Sequence, residues 1–515
     1  MVLCVSITNN DCNQYYQSCS VNSVEILDRP RDQLCLTQFH QRQCLWVSLS
    51  LNSYEGALVT PITIDKVRVI DLRFPTSRES IGSDAVNKDP DYSAAYCILE
   101  TNCGLSGHGL TFTLGRGTDL VVSALKYLAT NVEGRALDSI VSDLKAFYLQ
   151  VTGDTQFRWL GPEKGVIHLA CAALLNAVWD LYAKAEGKPV WRLLADMTPE
   201  QIVSLIDFRY IADALSPDEA LTILRRAQSG KDARLVQLER TGYPAYITSA
   251  GWFGYSEDKI RGLCEEGLAD GWTHFKLKVG GDAEDDLRRG RIMRDAIGPL
   301  NRIMVDANQK WGVTEAIART RQLAELQPWW MEEPTSPDDI LGHARIRREA
   351  APTRIATGEH CHNSVMFKQL FQAGAIDVCQ IDSCRVASIN ENLSIMLMAA
   401  KFGVPVCPHA GGVGLCEYVQ HLSIFDFLSI SATMKDRVIE YVDHLHEHFV
   451  APVTINRGHY MLPQTPGYGS EIHAESLQRY SFPDGIVWNE RSKPEAMHEG
   501  RHLSSAKRRI DDLDD

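Results

Sequence analysis

The sequence predicts an α/β protein in which a TIM-like (β/α)7β barrel follows an α+β capping domain. Three observations favour this fold class. Short apolar segments alternate with helical ones through the second half of the chain, strands precede helices in the first part, and an ionisable residue stands at the end of most second-half strands. The chain has 515 residues, enough for roughly two to four domains.

Composition and charge exclude several classes of protein. Hydrophobic residues make up 44% and charged residues 23%, which is typical of globular proteins and excludes disordered or fibrous chains. The net charge of −14 argues against a general nucleic-acid surface, although a local cation or metal could still bind a small anion. Neither a membrane-spanning apolar run nor a secretory signal is found. We expect a mitochondrial or cytoplasmic protein without nucleic-acid or membrane partners.

The cysteines are distributed unevenly. Of 14 in the chain, five lie in the first 44 residues, and the others stand in apolar segments, as Cys171, Cys379 and Cys407 do. This distribution predicts buried free thiols in a reducing compartment rather than a disulfide framework.

The first 197 residues divide into an extension and a capping domain. Residues 1–60 are rich in Cys, Gln, Asn and Ser without a sustained period, so we predict an extension outside the fold. The capping domain is predicted over 61–197. Its predicted strands are 62–74, 93–101 and 110–114, and its predicted helices are 120–132, 137–151 and 168–187.

The predicted barrel covers 198–450. Eight segments have the length and apolar character of its strands: 202–208, 274–279, 302–307, 328–333, 354–359, 378–383, 404–410 and 437–442. Helices are predicted between most of them, for example over 314–326 and 390–403, and the long gap 209–273 is expected to hold an insertion. A C-terminal segment, 451–490, is expected to pack back toward the cap, and 491–515 form a charged tail.

Ionisable residues recur in phase with this architecture. They are Lys276, Lys278, Asp306, Glu332, Glu359, Asp382, His409 and Glu440. From Asp306 onward they follow one another at intervals of 23 to 31 residues, close to one β/α unit. Because the carboxyl ends of the strands form the active-site face of such a barrel, we expect all of them at one mouth.

Three of the carboxylates indicate a metal site. Asp306, Glu332 and Glu359 come from consecutive strands and offer hard oxygen ligands, which suit Mg²⁺ better than Zn²⁺. Strand alternation orients only one of Glu332 and Glu333 inward. The alternative interpretation is a set of solvated strand-end carboxylates.

Two further pairs indicate proton transfer. Lys276 and Lys278 face the same side of one strand, and their mutual repulsion is expected to lower the pKa of one and make it a base. His409 and Asp382 end neighbouring strands, where the carboxylate would fix the imidazole tautomer. Exposed lysines and a structural histidine are the alternatives. Glu440 could bind a substrate carboxylate or enolate if protonated, or be a packed core residue.

A metal between two opposed proton carriers indicates abstraction of a proton next to a carboxylate. The resulting enolate needs electrostatic stabilisation, which a metal and the Lys276 ammonium could supply. Protonation of a leaving β-hydroxyl would give dehydration, and return of a proton to the α-carbon would give racemisation or epimerisation. The HxH spacings at His360/His362 and in the HLHEH stretch (444–448) are expected to lie at the surface or to support other residues.

These residues resemble the enolase superfamily, mandelate-racemase subgroup. Lys276-x-Lys278, the three carboxylates, the Asp382–His409 pair and Glu440 carry the resemblance, which also selects Glu332 over Glu333. Within that superfamily the segments DLRFPTS, MEEPTSPDDILGHA, QIDSCR and CPHAGGVGLCE look like the L-fuconate dehydratases. The similarity extends from about residue 62 to about residue 488.

The resemblance implies a Mg²⁺-dependent dehydration of L-fuconate to 2-keto-3-deoxy-L-fuconate. It assigns Lys278 as the base and His409, supported by Asp382, as the acid. It assigns to substrate binding the residues Gly82, Ser83, Asp84, Tyr92, Lys276, Ala410, Gly411 and Glu440. It also implies a possible homo-oligomer. A dehydratase or epimerase of another sugar acid, and a non-catalytic binding protein, are the alternatives.

Overall fold

A computed structural model describes residues 60–161 and 163–491 of the chain. The predicted extension over 1–60 and the charged tail over 491–515 lie outside the described residues, apart from Thr60 and the backbone of residue 491. Within the described part, a three-stranded antiparallel sheet with its helices is followed by a parallel barrel. The predicted fold class is confirmed.

The capping domain combines a meander sheet with helices. Its strands, paired in the order β1-β2-β3, are β1 (Ile64–Arg73), β2 (Ser93–Thr101) and β3 (Ser106–Thr113). Its helices are α1 (Thr118–Ala129), α2 (Leu137–Val141), α3 (Leu144–Thr152) and α4 (Gly165–Ala185). The helix predicted over 137–151 is interrupted because Asp143 ends the first part and caps the second, where its side chain accepts from the Ala146 amide.

Helix α4 joins the cap to the barrel. Most of its residues are buried on all sides, and β3 approaches it closely at Gly109, where a Cβ would lie 2.2 Å from the Ala173 carbonyl oxygen. By length and composition α4 could cross a membrane, but 78% of its most apolar window is buried inside the protein. Its apolar character is therefore accounted for by packing in the core.

The barrel strands are parallel and adjacent in chain order. They are β4 (Tyr243–Ile247), β5 (His274–Lys278), β6 (Arg302–Asp306), β7 (Trp330–Glu332), β8 (Arg354–Thr357), β9 (Val378–Cys379) and β10 (Ile439–Tyr441). Strand β10 pairs with β4. Between β9 and β10 the predicted strand 404–410 is extended chain with a single bridge to β9. It closes the ring through backbone bonds such as His409 N to Ile381 O, 3.0 Å.

Helices cover the outside of the barrel. They are α5 (Val190–Asp196), α6 (Pro199–Ser204), α7 (Pro217–Gln228), α8 (Lys231–Thr241), α9 (Glu257–Ala269), α10 (Ala283–Ile297), α11 (Val313–Leu323), α12 (Ile340–Glu349), α13 (Ser364–Gln372), α14 (Ser388–Phe402) and α15 (Leu415–Ser429).

The prediction of a first barrel strand at 202–208 was wrong. This segment begins within α6, which Thr198 and Gln201 start with a reciprocal capping box and Pro199 at the first helical position. The first barrel strand is β4, which lies inside the stretch predicted as an insertion. Short apolar segments do not by themselves distinguish a strand from a buried helical turn.

The C-terminal segment contacts both domains. It contains β11 (Ile455–Asn456), β12 (His459–Tyr460), α16 (Ala474–Tyr480) and α17 (Ile486–Arg491). Strand β12 pairs with β4 of the barrel. On the cap side, the Tyr96 hydroxyl donates to the Ser470 carbonyl (3.1 Å) and the Phe482 amide to the Asp71 carbonyl (2.8 Å).

The buried cysteines of the described residues are free thiols, as predicted. They are Cys97, Cys171, Cys264, Cys361, Cys379, Cys384, Cys407 and Cys416. Burial raises the pKa of the Cys97 thiol to about 12, which keeps it protonated and unreactive.

Candidate active site

Strand alternation builds the mouth of the barrel in two layers. The lower layer is apolar and aromatic, and its members are Tyr246, Met304, Trp330, Ala356, Val378, Cys407 and Val438. Two residues further along their strands, Met304 is followed by Asp306, Trp330 by Glu332 and Val438 by Glu440. Residues two apart on a strand face the same side, so the charged residues are stacked directly above the apolar ones.

The two lysines of β5 lie among carboxylates. Lys276 is 1% exposed, and its Nζ lies 2.7 Å from Glu332 Oε1, 2.7 Å from Glu440 Oε1 and 3.4 Å from Asp306 Oδ2. Lys278 Nζ lies 2.6 Å from Asp306 Oδ2. The sequence-predicted lysines and carboxylates are therefore brought into one buried cluster.

The expected lowering of a lysine pKa was wrong for this arrangement. Burial alone lowers the pKa of Lys276, but Glu332 and Glu440 raise it well above its usual value. Burial, which has the largest single effect, and Lys276 lower the pKa of Lys278, but Asp306, Asp84 and Glu359 together outweigh them, so the net pKa is raised. The repulsion between the lysines exists, but carboxylates from other strands exceed it.

The three predicted metal ligands meet at this cluster. One carboxylate oxygen each from Asp306, Glu332 and Glu359 lies within 4.8 Å of the other two, and all three residues are buried. Glu359 Oε2 is buried without a hydrogen-bond partner among the described residues. Burial and Asp306 raise the pKa of Glu332 to about 8. A divalent cation would relieve the repulsion between Asp306 and Glu332 and would give Glu359 Oε2 a partner. The oxygen-only donor set therefore fits Mg²⁺.

A second group of donors overlaps the first. Glu333, Glu359 and His360 also bring one ligand atom each within 4.8 Å of one another. Glu333 is buried as deeply as Glu332, but its Oε1 is already 2.9 Å from both His360 Nδ1 and Gln309 Nε2. Its carboxylate is thus engaged by a histidine and an amide, whereas Glu332 is engaged by Lys276 and the Trp330 indole.

His409 and Asp382 form the predicted pair. His409 Nδ1 lies 2.7 Å from Asp382 Oδ2, and the other oxygen of Asp382 accepts from the amides of Cys384 and Arg385. The remaining ring nitrogen, Nε2, lies 3.5 Å from Glu359 Oε2. Burial lowers the pKa of His409, but the surrounding carboxylates, led by Glu359, raise it to about 9. The imidazole is therefore oriented by Asp382 and protonated at neutral pH.

Glu440 lies on the far side of Lys276 from Glu332. Its carboxylate accepts from the Thr248 hydroxyl and, at 2.8 Å, from the Ala410 amide. Burial raises the pKa of Glu440, but Lys276 and His409 lower it to about 2. The sequence left open a protonated Glu440; in this arrangement it is a charged, fully bonded carboxylate.

A cavity of about 380 Å³ connects the barrel mouth to the cap. Among the predicted residues, those lining it are Gly82, Asp84, Tyr92, Lys278, Glu359, Asp382, His409, Gly411 and Glu440. Gly411 is tightly placed, because a Cβ there would lie 2.9 Å from His409 Nε2. Gly82 has a φ of +75°, and its close approach to the Tyr92 ring leaves no room for a side chain.

Other predicted residues lie just outside the cavity wall. The Ser83 hydroxyl donates to the Phe253 carbonyl (3.0 Å), so it fixes the cap loop to the barrel. Ala410 is fully buried and contributes its amide to Glu440. Lys276, Asp306 and Glu332 form the floor beneath the lining residues.

Sequence reasoning missed several residues of this cavity. They include Thr248, Trp252, Asn308, Gln309 and Arg385. Asn308 lies two residues after the end of β6 with a φ of 44°, and its backbone amide donates to Asp306 Oδ1 (3.0 Å). Polar residues just after a barrel strand are a signal that could have found Asn308, whereas Thr248 was hidden by the missed strand β4.

Comparison with known proteins agrees with both domains. Residues 259–476 match the family described as enolase C-terminal domain-like, and residues 89–195 match the mandelate racemase / muconate lactonizing enzyme N-terminal domain. The chain is 58% identical over 429 residues to mitochondrial enolase superfamily member 1 of Homo sapiens, covering 82% of this chain and 97% of that protein. The chain belongs to the enolase superfamily.

A further relative and two solved structures extend the comparison. L-galactonate dehydratase of Hypocrea jecorina is 53% identical over 437 residues, covering 84% of this chain and 97% of that protein. The crystal structure of human mitochondrial enolase superfamily member 1 superimposes with a TM-score of 0.83 at 57% identity, covering 84% of this chain and 99% of that one. L-talarate/galactarate dehydratase of Salmonella typhimurium LT2, liganded with Mg and L-lyxarohydroxamate, has a TM-score of 0.65 at 24% identity, covering 84% and 96%, and supports the fold alone.

Proposed function

We propose that this enolase-superfamily protein is a Mg²⁺-dependent acid-sugar dehydratase that converts L-fuconate to 2-keto-3-deoxy-L-fuconate and water. The observation that carries the proposal is that Lys278 and the His409–Asp382 pair line one cavity above a triad of buried carboxylates. The dehydratase names of relatives, including one at 53% identity, support the reaction class. The magnesium of more distant fold neighbours supports the metal.

The first chemical step is removal of the proton on carbon 2. Lys278 is the residue we assign as base, because it lines the cavity while Lys276 lies beneath it. It accepts the proton as a neutral amine, which Mg²⁺ held by Asp306 would favour by offsetting the carboxylate charge that raises the pKa of Lys278 against the effect of burial. When bound by Asp306, Glu332 and Glu359, Mg²⁺ would supply positive charge that favours the enolate. The Lys276 ammonium, held beneath the cavity by Glu332 and Glu440, adds positive charge that favours the same enolate.

The second step is loss of the hydroxyl on carbon 3. Since Asp382 holds Nδ1 of His409, the proton for the leaving group is carried on Nε2. Burial lowers the pKa of His409, whereas the hydrogen bond to Asp382 raises it and favours the protonated imidazole that donates this proton. Loss of water and ketonisation then give the 2-keto-3-deoxy acid.

The cap side of the cavity is lined by apolar side chains, which suits a substrate with an apolar end. Its wall carries Leu120 and Val121 of α1 and Val166 and Leu169 of α4. L-Fuconate ends in a methyl group, whereas L-galactonate, its counterpart with the same configuration, ends in a hydroxymethyl group. L-Galactonate is the second candidate, because the 53% identical relative is named for it.

The test is turnover by the purified full-length protein. L-Fuconate, L-galactonate and galactarate are each incubated with Mg²⁺, and 2-keto acid is measured as its semicarbazone. We expect the largest kcat/KM for L-fuconate. Preference for another acid would refute the substrate assignment, and a racemised or epimerised product would refute dehydration. No turnover of any acid by folded, Mg²⁺-loaded protein would refute the enzymatic proposal.

We also propose a mitochondrial location in preference to a cytoplasmic one. Its support is the name of the 58% identical relatives. Fractionation of cells expressing the full-length chain tests it: the protein should be recovered with mitochondrial matrix markers, and recovery with cytosolic markers would refute it.

A further inference from the structure

Arg289 of α10 is a buried cation whose contacts lie directly behind the proposed base. It is 2% exposed, and its Nη1 donates to the Lys278 carbonyl at 2.9 Å. Its Nη2 donates to the carbonyls of Gly251 (3.0 Å) and Trp252 (3.1 Å). One guanidinium thus joins the end of β5 to the loop that follows β4.

That loop is pressed against the strand that carries both lysines. At Gly251 an added Cβ would lie 2.3 Å from the Lys276 carbonyl oxygen and 2.7 Å from the Leu277 Cα. Only a glycine permits this approach of the two backbones. The loop and β5 therefore share a surface in which a small displacement of one displaces the other.

The same loop is bonded to the cap. The Phe253 amide donates to the Ser83 carbonyl (3.3 Å), and the Ser83 hydroxyl donates to the Phe253 carbonyl (3.0 Å). The Arg289 guanidinium lies over the Phe253 ring, 4.6 Å from its centroid. Beyond β5, a Cβ at Gly280 would lie 3.0 Å from the Ala85 Cβ, so the cap loop also rests on the turn that follows Lys278.

Arg289 also forms a buried ion pair, in which its Nη1 lies 3.6 Å from Asp286 Oδ1. This Asp286 oxygen makes no hydrogen bond among the described residues. A buried ion pair is often no more stabilising than apolar residues of similar size, although removing one partner alone is destabilising. What the guanidinium offers beyond stability is a planar set of donors that fixes three carbonyls relative to one another.

We propose that Arg289 is a positioning residue that fixes the position of the Lys278 backbone relative to the cap loop around Ser83. It acts through Lys278 and Phe253 and does not itself contact the substrate. The inference rests on the proposed function, because it concerns the base of that reaction and the loop that would cover the sugar. It adds a coupling between cap closure and base placement.

The chain offers a matched control on the same helix. Arg294 lies at the other end of α10, and its guanidinium also donates to backbone carbonyls. Its Nε donates to Leu326 (3.1 Å) and its Nη1 to Asn301 (2.8 Å). R289M and R294M therefore both remove guanidinium-to-carbonyl hydrogen bonds from the same helix, and R289M also removes the ion pair with Asp286. R289K is the conservative variant, and S83A removes the side-chain hydrogen bond from the cap loop to Phe253 while leaving the backbone one.

The catalytic readout is exchange of the substrate's carbon-2 proton in D₂O together with dehydration. For R289M we expect kcat for exchange to fall roughly 10- to 100-fold, as for a base misplaced by about 1 Å. We expect KM to rise as the cap loop loosens, and R289K to restore part of kcat. R294M should also lose thermal stability yet keep kcat within about twofold. Equal kcat values in R289M and R294M would overturn the proposal.

A second readout needs no substrate and separates this inference from the proposed function. Backbone amide exchange followed by mass spectrometry should speed up in residues 82–86 and 250–254 of R289K and S83A, but not in R294M. If wild type turns over no sugar acid while this result is obtained, the coupling stands and the reaction assignment fails. Unchanged exchange of residues 82–86 in both R289K and S83A would overturn the coupling, even where R289M does not fold.

Discussion

The two layers of the barrel interior are built from the same strands and differ in almost every physical respect. The lower layer, which includes Met304 and Trp330, is apolar and fully buried. The upper layer, two residues further on, collects Lys278, Asp306 and Glu332 at separations that would be unfavourable without compensation. Along one strand, therefore, one inward-facing residue contributes to stability, and the next inward-facing residue, two positions further on, contributes to reactivity.

The largest expected effect is on activity, from the upper layer. K278A should abolish both carbon-2 proton exchange and dehydration, because it removes the base. H409N should reduce dehydration about 10²–10⁴-fold yet retain exchange, because only the acid is lost. Proton NMR in D₂O and the semicarbazone assay measure the two reactions. If H409N lost exchange as completely as K278A, the assignment of separate roles would be wrong.

Substitution in the lower layer should reverse this pattern. Met304 is fully buried, so M304A should lower the free energy of unfolding by about 2–5 kcal/mol through lost contacts and a cavity. Denaturant unfolding, followed by circular dichroism, measures it beside K278R, which keeps a cation next to the buried Asp306 carboxylate. The comparison of layers predicts that K278R destabilises far less than M304A, and a larger loss in K278R would contradict it.

Mg²⁺ should stabilise the upper layer. At about 100 times its dissociation constant, a ligand that binds only the folded state adds about 2.7 kcal/mol. We expect Mg²⁺ to raise Tm in wild type and in E265Q, an exposed change on α9, but to do so much less in E359Q. Differential scanning calorimetry with and without EDTA measures this. An equal Mg²⁺ response in E359Q would remove Glu359 from the metal site.

The smallest expected effect concerns a buried histidine away from both layers. His421 Nδ1 accepts from the Trp191 amide and Nε2 donates to the Tyr468 carbonyl, and burial lowers its pKa to about 3. The unfolded chain therefore binds the proton first, so the stability His421 contributes is complete above about pH 6.5 and is lost as pH falls toward 3. H421Q can keep both bonds without titrating.

Urea unfolding of wild type and H421Q between pH 6.5 and 4.5 measures this contribution. The wild-type free energy of unfolding should fall more steeply, by up to about 1.4 kcal/mol per pH unit at the acid end. Parallel pH dependences in the two proteins would show that His421 does not titrate as its burial indicates.

Sequence periodicity was sufficient to predict most of the barrel. The strands at 274, 302, 330 and 354 were recognised because each is a short apolar run ending in a polar residue, and β/α units repeat at nearly constant length. The strand β4 was missed because it follows two helices, α7 and α8, and its five residues carry no charged end. Only pairing with β5 and β10 distinguishes it from a loop.

By itself the sequence determined which residue types stand at the strand ends and in what order, because local alternation and the β/α repeat are properties of neighbouring residues. It also determined the cap strands and the pairing of His409 with Asp382. Only the tertiary structure decided the sign of the lysine pKa shifts and the ionisation of Glu440. Electrostatic interactions depend on distance in space, and carboxylates from other strands lie within 3.4 Å of Lys276. The linkage of Arg289 to the cap loop likewise exists only after folding, because Ser83 and Phe253 are 170 residues apart in the chain.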